Sequence, residues 1–314
     1  MNSYFTGLIA QEPEIKAVRV PRSSGWHVTF SRAHKNQIQT KGLEVVIKAK
    51  SWATAQRALN LIVHSLALYS GGPSSLDQDL IAHNDAEPHD LRGSLRRLRT
   101  STFWSTVWIP HACAIAARAS RSKRLVYAIT KYNFSVGLYS VFSVDLEPFS
   151  SEHLPISPFP TDHVTFSYAI VAAYSALEDL GLELRASQEK PSRINGKWNP
   201  TVRLDLEARL TKSGVNLDET LLWTVRSSNR KIEEKRALPA HEKCPWSYGA
   251  VRDCKVLLVD AIAYAGWLRG RVASHAVKDL TKCLSPYDVI NVQHLARRLI
   301  LETLGLWEVL SRRD

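Results

Sequence analysis

Arg271 and His275 are four residues apart, so on a helix their side chains share one face. Histidine is the side chain whose unperturbed pKa lies near neutrality, which lets it give and take protons. An arginine fork can hold a phosphate and stabilise the charge that develops on it. Such a pair suits phosphodiester chemistry without a metal. It could cleave RNA by activating a 2′-hydroxyl against the adjacent phosphate, and DNA would be spared. When Val251–His275 is placed on a helical wheel at ~100° per residue, Leu257, Ala261, Leu268 and Val272 form an apolar stripe. Asp253, Asp260, Tyr264 and Arg271 run along one flank of that stripe, and His275 lies just inside it. An ordinary core boundary gives the same pattern. Asp260 and Arg271 would then sit at the rim, and His275 would be a satisfied core or loop histidine.

Other chemistries find less support. The four cysteines, Cys113, Cys244, Cys254 and Cys283, include no CxxC pair, as expected of free thiols in a reducing cytosol. A zinc set of His241, Cys244, Cys254 and His275 matches no known ligand spacing. His83 and His89, with Asp79, Asp85 and Asp90, are irregularly spaced for a metal. Asp145 and Glu147 read as loop acids. The sequence contains no GxxxxGK[ST], GxGxxG or GxSxG motif. The expectation is therefore a site with no metal and no cofactor.

The chain has 314 residues, with 41 Lys and Arg against 30 Asp and Glu, a formal net charge of +11. That balance favours polyanionic partners. The basic residues cluster at Arg92–Arg99, at Arg118–Arg124, and at Arg226, Arg230, Lys231, Lys235 and Arg236. Arg226, Arg230 and Lys231 are the candidate RNA contacts. No stretch is long and apolar enough for a membrane span. The first residues lack a basic segment followed by an apolar one, so a cytoplasmic protein is expected.

The elements that must position these residues read as follows. Ile15–Val20, Trp26–Phe30 and Leu43–Ala49 have strand composition. Ser51 opens a helix that runs to Tyr69 and stops at Gly71-Gly72-Pro73. Pro73–Leu95 reads as a loop, Phe103–Tyr132 as mainly helical, and Ser135–Val144 as an alternating strand. Pro148–Pro160 is rich in proline and serine and reads as a linker. Beyond it, His163–Leu180 is a periodic helix ended by Gly181, and Lys190–Pro200 is turn-rich. Thr201–Leu210 and Leu217–Arg226 are apolar segments, and Val251–His275 reads as one long helix. Ser285-Pro286 begins a final helix, with Asp288 placed for a capping box and Gly305 at its end. The expected class is α+β. Residues 1–150 form an α/β domain with a small sheet, and residues 160–314 form an all-α bundle.

The run Leu268-Arg-Gly-Arg-Val-Ala-Ser-His275 resembles the signature of HEPN domains, an arginine followed after four to six residues by a histidine near the end of a long helix. Arg269, with five intervening residues, fits that spacing, and Arg271 fits helix geometry better. The order of elements also resembles that family, with a capped helix after the motif and the run of Trp223-Thr-Val-Arg226 and Arg230-Lys-Ile-Glu233 standing for the adjoining helix. In organisation the chain resembles the ApeA-like HEPN proteins of bacterial defence systems. The resemblance implies a metal-independent endoribonuclease, antiviral or toxin-like in role, with His275 as acid and base and Arg269 or Arg271 on the phosphate. Asp260 and Tyr264 would be supporting residues. It also implies a homodimer through the helical domain and an N-terminal domain that answers a phage or regulatory protein. In the family a polar residue, commonly asparagine, often follows the arginine, and here Gly270 stands there. That substitution suits the alternative, an inactive HEPN-like module that binds RNA or a partner protein.

Overall fold

The computed structural model describes residues 26–32, 43–49, 51–72, 81–83, 90–92, 108–140, 154, 160–226, 251–274 and 284–308. Among them are seven helices and eight strands, the strands paired as four two-stranded antiparallel sheets. The class is α+β, with helix predominating. By internal contact the chain divides into two compact units, Met1–Asn133 and Phe134–Arg312. None of the described helices is long and apolar enough to cross a membrane.

In the first unit, β1 (Trp26–Arg32) pairs with β2 (Leu43–Ala49), Trp26 opposite Ala49 and Arg32 opposite Leu43. Both strands were legible, whereas Ile15–Val20 lies outside the described residues. Helix α1 (Trp52–Ser70) starts at Ser51, whose backbone is extended and whose Oγ accepts the Thr54 N–H at 3.3 Å. It ends at Gly71, in the left-handed region at φ 72°, with its N–H on the Ala67 carbonyl. Within the expected loop Pro73–Leu95, β3 (Ile81–His83) and β4 (Asp90–Arg92) pair antiparallel. Three-residue strands in a polar stretch carry too few alternations to be read by period. Helix α2 (Trp108–Ala119) packs on α1 and contributes Ala112, Ile115 and Ala116 to a core with Leu59, Ile62 and Leu66. Tyr69 stacks on His111 with ring centroids 4.9 Å apart.

Helix α3 (Lys123–Leu138) includes Ser135–Leu138, which corrects the strand expected there; residues 141–144 lie outside the described residues. Ser135 and Val136 are buried, and the Ser135 hydroxyl donates to the Ala169 carbonyl at 2.7 Å. A buried serine between two apolar neighbours imitates alternation without being a strand.

In the second unit, α4 (Pro160–Leu180) packs against two helices, α6 (Leu258–Ser274) and α7 (Pro286–Thr303). Between α4 and α6 lie a small hairpin, β5 (Arg193–Ile194) with β6 (Lys197–Trp198), and α5 (Pro200–Lys212). Asn195 and Gly196 make the hairpin turn at positive φ, and the Asn199 side chain caps α5 ahead of Pro200. Two further segments correct the expected all-α bundle. Thr220–Arg226 is strand β7, and Val251–Leu257 is strand β8, paired antiparallel with Thr220 opposite Leu257. Leu221, Trp223 and Val225 alternate into the core, as do Cys254 and Val256. The long helix expected from Val251 therefore begins only at Leu258.

Helix α7 is buried nearly all round, so its polar residues need partners. The Asp288 carboxylate accepts the Ser285 N–H at 2.8 Å, fulfilling that half of the capping box. Asn291 accepts the Thr224 N–H at 2.9 Å and donates to the Thr224 carbonyl at 2.7 Å. Arg298 donates to the Thr220 carbonyl at 3.2 Å and pairs with Glu219 and Glu302. Thr220 and Thr224 share parity along β7, so α7 satisfies the strand edge that β8 leaves open. Of the expected linker Pro148–Pro160, only Leu154 and Pro160 are described. Leu154 is buried against Tyr287 and Ile290, and its N–H donates to the Tyr287 hydroxyl at 3.0 Å.

Candidate functional site

Asp260, Tyr264, Trp267 and Arg271 lie at 0, 4, 7 and 11 residues along α6 and so form one line on its surface. The line starts in the core and emerges at the C-terminal end. Asp260 and Tyr264 are buried, Trp267 is half-buried, and Arg271 is exposed. Tyr264 stands edge-on to Trp223 at 5.3 Å and stacks with Trp267 at 5.5 Å. The Arg271 guanidinium lies 5.4 Å from the centre of the Trp267 ring. The aromatic ladder thus presents a cation on the last turn. Trp267 was not among the residues singled out from the sequence. Its signal was its place at i+3 from Tyr264 and i−4 from Arg271.

Asp260 serves another element. Its Oδ1 accepts from the Trp198 indole at 2.7 Å and from the Arg193 guanidinium at 3.1 Å. Arg193 also lies over the Trp198 ring at 5.4 Å and donates to the Gly196 carbonyl. The carboxylate therefore anchors the β5–β6 hairpin to α6. Tyr264 reaches Asp288 at a long 3.5 Å.

Arg269 is about 180° round α6 from Asp260, and it faces α4. Its guanidinium pairs with Glu178 at 3.2 Å; the two side chains are 44% and 33% exposed. Glu178 also accepts the Ser175 hydroxyl. Next to this pair, the Tyr174 hydroxyl accepts the Leu184 N–H at 2.9 Å, and burial pushes the phenol up to about 12. Gly266 lets this pack: a Cβ there would lie 2.8 Å from the Tyr174 hydroxyl. Gly270, beside Arg269, has open space where a Cβ would go.

The structure thus sets Arg269 and Arg271 on different faces of the last turns of α6, both exposed. His275 lies outside the described residues, as do Arg230 and Lys231; Arg226 ends β7. Of the candidate metal residues, Cys254 is buried, His83 and Asp90 face one another in the β3–β4 ladder, and the rest lie outside the described residues. No group of three His, Cys, Asp or Glu side chains is placed for a metal among the described residues. No protein-family model, no curated protein and no solved structure matches the chain.

Proposed function

We propose that the second unit is a metal-independent endoribonuclease of the HEPN type, acting in bacterial defence. The observation that supports this most is that two exposed guanidinium groups, Arg269 and Arg271, occupy the last turns of α6 directly ahead of His275 in the chain. In this reading His275 takes the proton of an RNA 2′-hydroxyl. The 2′-oxygen attacks the adjacent phosphorus, and the 5′-oxygen leaves with a proton. Arg269 holds the phosphate and offsets the charge on its oxygens, with Arg271 as its rival. Its surface ion pair with Glu178 is of a kind worth at most about 1 kcal/mol, so an incoming phosphate can displace it. A second copy would bring a second arginine and histidine to the scissile bond, so a homodimer is the working form. The first unit would answer a phage or regulatory protein and hold cleavage in check in a cytoplasmic setting.

The test is cleavage of RNA in EDTA by the wild type and by His275→Ala, with the growth of expressing cells followed in parallel. Cleavage and toxicity that vanish in the variant support the reading. Absence of cleavage by the wild type, with and without a phage lysate as trigger, overturns it.

A second reading has its own support. Gly270 offers no side chain where the family carries a polar one, and Arg269 already has a carboxylate partner. Both suit a non-catalytic module that binds RNA. It predicts RNA affinity that falls with salt, is weakened by Arg269→Gln, and is accompanied by no cleavage.

A further inference from the structure

We propose that the outward face of α3 is a docking surface for single-stranded nucleic acid, a proposal independent of the reading given to the end of α6. Six residues, Lys123, Arg124, Tyr127, Thr130, Lys131 and Phe134, fall within an arc of about 120° on α3. All but the half-buried Lys131 are exposed, and the opposite arc is buried through Ala128, Ile129, Tyr132 and Val136. Tyr127 and Phe134 are 62% and 61% exposed, among the largest apolar side chains left open to solvent among the described residues. They are seven residues apart, about 10 Å along the helix. Two open aromatic rings, interleaved with three cations on one face, combine a stacking platform with a track for phosphates.

The sequence around this helix is one-sided in charge. No acidic residue occurs between Asp90 and Asp145, a stretch that carries eight arginine and lysine residues besides Lys131. Arg118 and Arg121, just before α3, are exposed as well. An amphipathic face meant only for solvent usually mixes signs, because i, i+4 pairs of opposite charge support the helix. α3 has none. A duplex would use the cations and leave the rings idle, since its bases are already stacked. Unpaired bases would use both.

The test is binding of a short labelled oligothymidylate to the full chain in EDTA, read by fluorescence anisotropy between about 50 and 200 mM salt. DNA lacks the 2′-hydroxyl, so ribonuclease action cannot confuse the reading. The wild type is expected to bind with a log–log salt slope of about −2, from three phosphate contacts at ~0.7 each. Tyr127→Ala and Phe134→Ala should each weaken binding about 5- to 100-fold with the slope unchanged, and Tyr127→Trp should restore it. Lys123→Gln and Arg124→Gln should each flatten the slope by about 0.7. These exposed substitutions leave the helix intact, which circular dichroism checks. Wild-type affinity in the Tyr127→Ala, Phe134→Ala double variant overturns the proposal, as does duplex DNA competing as well as the single strand. Loss of self-association with unchanged oligonucleotide affinity would also overturn it, assigning the face to protein–protein contact.

Discussion

Two buried or half-buried polar side chains are fixed by what surrounds them. Asp260, buried on α6, accepts two hydrogen bonds from the β5–β6 hairpin. Asp260→Ala leaves the Trp198 N–H and the Arg193 guanidinium without that acceptor, and should cost about 2–3 kcal/mol in urea unfolding. Asp260→Asn keeps an acceptor and should cost less than half of that. If Asp260 instead served phosphodiester chemistry, the Asn variant would lose activity at unchanged stability. His64 on α1 meets the Thr130 hydroxyl at 3.1 Å, and that hydroxyl already donates to the Val126 carbonyl at 2.9 Å. The hydroxyl therefore accepts, and the histidine proton sits on Nδ1. Burial pushes the His64 pKa down to about 4, from 6.5. Between those values the unfolded chain binds the proton and the folded chain does not, so acidification favours unfolding. Stability carried by neutral His64 is complete above pH 6.5 and falls by up to about 3 kcal/mol as the pH drops to 4. Urea midpoints across that window should fall more steeply for the wild type than for His64→Gln.

Helix α6 has two glycines that helix propensity treats alike and packing treats oppositely. At Gly270 a methyl group meets nothing, so Gly270→Ala should stabilise by about 1 kcal/mol. At Gly266 it would meet the Tyr174 hydroxyl at 2.8 Å, and that ring is buried and held by the Leu184 N–H. Gly266→Ala should therefore destabilise by about 1–3 kcal/mol despite better propensity, seen as denaturant midpoints moving in opposite directions. Asn291 is the other decisive side chain at this scale. Its amide closes both backbone groups of Thr224, so Asn291→Ala should cost about 2 kcal/mol or more and raise hydrogen exchange at the Thr224 amide. Elements with local start or stop signals were legible: α1 between Ser51 and Gly71, and α7 behind Ser285-Pro286. The Asn199-Pro200 start of α5 was not read from the sequence. The β7–β8 pair was not, although Leu221, Trp223 and Val225 alternate. Strand β8 passes into α6 between Leu257 and Leu258 with no glycine or proline, so on a helical wheel one apolar stripe runs from Leu257 into the helix. The partner that makes it a strand lies far away in sequence, where no periodicity can report it.

Across the whole chain, the helical placement of the candidate residues was legible and their partners were not. The wheel placed Asp253, Asp260, Tyr264 and Arg271 on one line; the last three share a line on α6, whereas Asp253 belongs to strand β8. What the wheel could not show is that Asp260 is claimed by a hairpin more than sixty residues earlier in the chain, and Arg269 by Glu178. Net charge has the same weakness, because +11 does not say which cations are already engaged. Arg203 pairs with Glu207 at 2.7 Å, four residues away on α5, whereas Arg124 lies on a helix without any acid. Replacing either by glutamine changes the net charge equally, from +11 to +10. If long-range attraction by the total charge governs binding, the two variants should weaken oligothymidylate binding alike. If contact by the α3 face governs it, Arg124→Gln should flatten the salt slope by about 0.7 while Arg203→Gln leaves it within error. The second outcome is expected. Counterion release follows phosphates actually contacted, and Arg203 is not part of the α3 face.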